Sequence, residues 1–253
     1  MYTDAEKRLM PLMFFILLLI TISLWLLLRH RGQVAQSIPF IVITLALIAG
    51  EVAKQVISYR QGYNLWHLPL HFCSTYFLWF SLAEFSFGKM RRTMQNIAFV
   101  ATMYLFVAFY VSPRGILGDT CEDVFADYFT AHSFFYHHLV ILYMMLAVAF
   151  KRFQPKKTDA WVWIICFACY FAVAATCAYT LQENFFNILN SESLPILEPF
   201  RLAVGQVAYN ACLAFALIFV GAFIIRLAAR IRSKHFVEED TMEIFEKSES
   251  RNA

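Results

Sequence analysis

The stretch His67-Leu-Pro-Leu-His71-Phe-Cys73 sets two imidazoles and a thiol at the start of a long apolar run. An imidazole exchanges protons near neutral pH, and a thiolate attacks carbonyl carbon, so these residue types have the parts for nucleophilic acyl chemistry. Ionisable groups are costly in hydrocarbon, so a cluster of them where a chain enters a membrane marks a candidate site.

The geometry of an ideal helix constrains the trio. His67 and His71, four apart, share a face, whereas Cys73 lies about 200° round from His71. A base for the thiol then has to come from another element. His137 and His138 are the candidates, and being about 100° apart, only one of them faces a given neighbour. A further polar group, Glu51, Glu183 or Asn184, would orient the imidazole. Other readings use the same residues. His67 and His71 with His132, His137 or His138 could bind a metal or haem, or the polar groups could line a transporter-like or receptor-like bundle without chemistry. Blander readings stand beside these. Glu51 and Lys54, three apart, suit an intrahelical ion pair. A lone membrane histidine suits a helix–helix hydrogen bond. Cys166, Cys169 and Cys177 suit packing. Cys121, in a loop, suits a disulfide with Cys73 under oxidising conditions.

The elements that must position these groups are membrane spans. Of the 253 residues, 60% are hydrophobic and only 15% charged, against about 25% charged in soluble domains. The net charge of +3 gives no basis for nucleic-acid binding. Seven stretches approach the roughly 20 apolar residues that a bilayer requires. They are Met10–Leu28, Ser37–Tyr59, Leu65–Phe87, Ile97–Val111, Ser133–Phe150, Trp161–Leu181 and Leu202–Leu227. The first lacks a cleavage site after its apolar run and reads as a retained span. Residues 1–232 therefore form the transmembrane domain, and 233–253 a polar tail.

Basic residues alternate across the loops. Fifteen fall on one side: Arg29 and Arg31; Lys89, Arg91 and Arg92; Lys151, Arg152, Lys156 and Lys157; and six from Arg226 onward. The other side has five: Lys7, Arg8, Arg60, Arg114 and Arg201. The positive-inside rule puts the amino terminus outside and the carboxyl terminus in the cytoplasm. In that orientation the polar residues collect in the outer half, where Glu51, Lys54 and Gln55 meet the His67–Cys73 block, His137, His138, Asn184, Arg201 and Asn210. The inner half is bland, with Glu84 beside Lys89. Two outer loops are long. One, 112–132, is acidic through Asp119, Glu122, Asp123 and Asp127; the other, 182–201, is apolar through Phe185, Phe186, Leu194, Pro195 and Ile196.

Leu68-Pro69-Leu70-His71-Phe72-Cys73 resembles the Leu-Pro-Leu-His-x-Cys signature of the YwaF family of integral membrane proteins. His137-His138 followed by Leu139–Leu142, Glu183-Asn184-Phe185-Phe186, and Pro195 are similar to its later blocks, in the same order. The family's eukaryotic relatives are transmembrane phospholipid acyltransferases working through a cysteine acyl-enzyme; more distant hydrolases of fatty-acid esters use threonine and histidine. The resemblance implies Cys73 as nucleophile and His138 as base, with His71 or Asn184 stabilising the oxyanion or orienting the base. His67, His137, Glu51 and Arg201 are the expected substrate-binding or orienting groups.

The expectation is thus an all-α, seven-span protein of a bacterial cytoplasmic membrane that transfers or hydrolyses acyl groups of membrane phospholipids. No metal or cofactor is expected: the chain has neither a glycine-rich phosphate loop nor an acidic metal motif.

Overall fold

The computed structural model describes residues 3–118, 120–191 and 197–233, and these are helical with no strand among them. Asp119, Pro195 and its neighbours Leu194 and Ile196, and the tail from 234 lie outside the described residues.

Six helices are long and apolar enough to cross a membrane. They are α1 (Asp4–Leu28), α2 (Gln33–Arg60), α4 (Gly88–Val111), α6 (Tyr128–Ala149), α7 (Asp159–Leu181) and α9 (Gln206–Ser233). Between them lie shorter helices: α3 (Tyr76–Phe85), α5 (Pro113–Leu117) and α8 (Glu198–Val204). Apolar side chains such as Phe15, Leu19 and Leu27 on α1 and Val207, Phe223 and Ile231 on α9 are exposed, as lipid-facing surfaces require. The protein is a multi-pass integral membrane protein.

Several helices begin before their apolar runs. α4 starts at Gly88 rather than Ile97, because its polar first turns are helical as well. α1 starts at Asp4, where Thr3 and Glu6 form a capping box that satisfies orphan backbone donors.

Two expected spans are not continuous helices. Leu65–Phe87 breaks into a turn at Leu65–His67, a turn at Cys73–Thr75 and the ten-residue α3. Pro69 lacks an N–H and disfavours helix in the residue before it. The carbonyls left open take side-chain donors from three helices. Gln55 Nε2 donates to the His67 carbonyl at 2.7 Å, Tyr170 Oη to Leu70 at 2.9 Å, and Tyr136 Oη to Ser74 at 3.3 Å. Unwound backbone survives at membrane depth only with such partners. The placement of Cys73 and His71 on opposite helix faces lapses with the helix.

The span expected at Leu202–Leu227 divides at Gly205, whose φ of 80° suits a residue without Cβ. α8 lies before it and α9 after it. Within α9 the turn Ala216–Val220 is a π-helix. Its carbonyls accept outside donors: Tyr104 Oη reaches Ala216 at 2.9 Å, and Trp163 Nε1 reaches Ile218 at 3.0 Å. A widened turn frees such acceptors.

One end of the bundle is stitched by two buried acids. Glu84 accepts from Tyr143 Oη at 2.6 Å and from Arg152 at 2.8 and 3.0 Å, and Arg91 approaches at 3.3 Å. Arg152 also reaches Ser37 at the start of α2 and lies over the Phe40 ring. Asp159 accepts from Thr93, Asn96 and the Lys156 N–H. This end was expected to be bland; instead, its acids are wired between helices. The segment from His67 to Glu84 runs from the level of Gln55, late in α2, to the level of Ser37, early in it.

Candidate active site

At the opposite end a cavity of about 590 Å³ opens among the unwound segment, α2, α4, α5 and α6. The unwound segment supplies His67, His71 and Cys73 to its wall. One face of α6 supplies Phe129, His132, Ser133, Tyr136 and His137, which recur at helical spacing. Lys54 enters from α2, and Tyr104, Leu105 and Ala108 form an apolar side on α4.

The histidines are held by their Nδ1 atoms. His137 Nδ1 lies 2.6 Å from the Ser133 carbonyl oxygen, and His138 Nδ1 lies 2.7 Å from that of Phe134. A carbonyl oxygen only accepts, so each Nδ1 carries the proton and each Nε2 offers a lone pair. The Nε2 atoms of His71, His132, His137 and His138 are all buried without a partner. Buried polar atoms are rarely left so unless something else meets them.

The two neighbours differ in what they face. His137 lines the cavity, whereas His138 does not. The His138 ring lies 4.2 Å from that of Phe134 and 5.1 Å from that of Phe109, centroid to centroid, inside an aromatic nest. His71 packs 4.1 Å from Trp66 and 5.3 Å from Phe185, and His67 stacks 4.2 Å from Phe129. His67 Nδ1 also pairs with Ser58 Oγ at 2.7 Å.

Cys73 is half-buried and free, and so is Cys121 in its buried position, so no disulfide joins them. The Cys73 thiol makes no hydrogen bond to the Nε2 of His71, His132, His137 or His138. The thiol and the imidazoles of His67, His71, His132 and His137 nevertheless share one cavity wall.

Of the other expected residues, Asn184 lines the cavity, but its amide is committed to its own loop. It donates to Asn190 and accepts from the Leu189 and Asn190 N–H groups. Glu51 lies behind the wall, 2.8 Å from Lys54 Nζ, and also accepts from Gln55 at 2.9 Å. Arg201 is held by Glu198 and Gln206, away from the cavity. Lys54, His132 and Tyr136 are among the wall residues outside the expected catalytic and orienting set. The spacing of Tyr128, His132 and Tyr136 on one face of α6 was the available signal.

At the mouth, Asp127 caps α6 by accepting from the Thr130 N–H at 2.7 Å and from its hydroxyl. Those two bonds hold the Asp127 carboxyl below its ordinary range. Among the described residues, no three His, Cys, Asp or Glu side chains converge in a metal-ligand set.

The family model that matches this sequence is that of the TMEM164 family, over residues 1–227. No curated protein and no solved structure matches the chain. The chain belongs to the TMEM164 family, a family of membrane proteins.

Proposed function

We propose that this TMEM164 family protein moves acyl groups of membrane phospholipids through a cysteine acyl-enzyme. One observation carries the reading. The free thiol of Cys73 and the unpartnered Nε2 atoms of His71, His132 and His137 belong to residues that wall a single, mostly apolar cavity. The resemblance of the Leu68–Cys73 block to YwaF proteins supports it from sequence and suggests a bacterial cytoplasmic membrane.

His137 takes the role of base, in place of the expected His138. Its Nδ1–H is fixed on Ser133, leaving Nε2 to accept the Cys73 proton once the thiol swings toward it. The thiolate attacks the ester carbonyl, the tetrahedral intermediate collapses, and the departing alkoxide takes the proton from imidazolium. Water or an acceptor hydroxyl then attacks the thioester, giving its proton back to His137 and releasing the thiol. His71, on the same wall, donates to the oxyanion when protonated at Nε2. Lys54, already leaning on Glu51, orients the ester from the α2 side.

The proposed topology has seven crossings, the third being the half-unwound segment Leu65–Phe87, with the amino terminus outside. The loop basic residues and the passage of that segment along the length of α2 support it. The cavity then opens in the outer half, where a lipid enters sideways.

The test is labelled phospholipid with the purified protein. A lyso-lipid or acylated product, with an acyl adduct on Cys73 by intact mass, is expected. Activity that survives Cys73→Ala refutes the nucleophile.

A further inference from the structure

A second concave site lies at the far end of the molecule, between the start of α7 and the last turns of α9. Lys157, Thr158, Trp161, Arg226 and Arg230 form it. A backbone contact creates the site. A Cβ on Gly221 would fall 2.2 Å from a ring carbon of Trp163, so only glycine lets the two helices approach this closely. Trp163 Nε1 donates to the Leu217 and Ile218 carbonyls and fixes the register. The following turns of α9 are thereby brought beside the first turn of α7, and the Arg226 guanidinium lies 5.1 Å from the Trp161 ring centroid. Arg230 follows one turn on, along the same face.

The charge here is unpaired among the described residues. Among the described residues, no carboxylate pairs with Lys157, Arg226 or Arg230. Asp159, the nearest acid in sequence, is buried, and its oxygens are spent on Thr93, Asn96 and the Lys156 N–H. Next to the cations an apolar strip begins. Ile165, one turn from Trp161, is 62% exposed, and Phe223, one turn before Arg226, is 63% exposed. The cations therefore sit where a lipid-facing surface gives way to a loop, with a tryptophan at the border, as at a membrane interface.

We propose that this site binds the headgroup of an anionic glycerophospholipid. The phosphate oxygens accept from Arg226, Arg230 and Lys157 and from the Thr158 hydroxyl, and the acyl chains lie along Ile165 and Phe223. The site is separate from the Cys73 cavity and does not depend on any reading of it.

Native mass spectrometry of the full chain in neutral detergent, titrated with phosphatidylglycerol or phosphatidylcholine, tests this. Phosphatidylglycerol should bind about tenfold or more tighter than phosphatidylcholine. The triple variant Lys157→Gln, Arg226→Gln, Arg230→Gln should lose that preference, and Cys73→Ala should keep it. Arg226→Lys with Arg230→Lys retains the charges and should keep most of the affinity. If the triple variant does not fold, the exposed single change Arg230→Gln should still weaken binding several-fold. Equal affinity for the two lipids, or a preference that survives loss of the cations, overturns the proposal. Inorganic phosphate competing as well as the lipid does would make this a soluble-anion site and overturn it too.

Discussion

Arg152 holds Glu84 with both terminal guanidinium nitrogens, at 2.8 and 3.0 Å, across the gap between the end of α6 and the end of α3. The Glu84 side chain has no exposure at all, and that of Arg152 has 15%. Removing one partner of a buried pair strands the other, at a cost of about 3–5 kcal/mol, whereas removing both costs much less. Arg152→Ala should therefore lower the melting temperature in detergent sharply, and Arg152→Met with Glu84→Leu should recover much of the loss. Equal melting of wild type and Arg152→Ala would show that Tyr143 and Arg91 alone satisfy the carboxylate.

Gly221 makes a prediction about packing rather than charge. An alanine there pushes its Cβ into the Trp163 ring, which is itself fully buried and hydrogen-bonded to α9. Overpacking of this kind costs about 1–3 kcal/mol or more. Gly221→Ala should melt earlier than wild type, and Trp163→Phe added to it should restore part of the loss by vacating the clash. A neutral Gly221→Ala would mean that α7 and α9 separate without penalty.

The long helices were legible because hydropathy needs only local composition, and their apolar stretches recur in α1, α2, α4, α6, α7 and α9. The unwound stretch was half legible. It was read as one span, Leu65–Phe87, although Pro69 disfavours helix there, and whether the chain could remain unwound depended on Gln55, Tyr136 and Tyr170, up to 100 residues away. The same holds for Glu84, whose partner Arg152 follows 68 residues later. Cys73, His67, His71 and His137, singled out by residue type, line one cavity. The choice between His137 and His138 was beyond the sequence. They differ by one step of helical phase: Phe109 on α4 lies near both rings, and His138 alone packs on Phe134 while His137 lines the cavity.

Glu198 links the end of the loop at Ser191 to Arg201 in α8. Hydrogen bonds from Arg201, then from Ser191, lower its carboxyl to about 2 from an ordinary value of 4.5. A depressed folded-state value means that the tie contributes above pH 4.5 and is lost as the pH falls from there toward 2. Protection of the Ser191 amide, its exchange measured against the intrinsic rate at the same pH, should therefore fall over that interval. Glu198→Gln should show the low protection throughout. Wild-type protection that does not change with pH would show that the loop is held by other contacts.

Cys73, His137 and His138 give the sharpest division between chemistry and packing. His137 lines the cavity with an unpartnered Nε2, while His138 presents the same tautomer to aromatic rings. If the proposed acyl transfer is correct, His137→Gln should slow acyl-adduct formation on Cys73 by about 10²–10⁴-fold, the usual range for a general base, with little change in melting temperature. His138→Gln should do the reverse, because it puts a new amide among rings that cannot hydrogen-bond it, while a folded remnant should still acylate. Cys73→Ala should form no adduct. A single-turnover assay with thioester trapping, run beside melting curves, separates the three. If acylation fails with His138→Gln at unchanged stability and persists with His137→Gln, the base is the buried imidazole, and the cavity must open toward Phe109 to reach it.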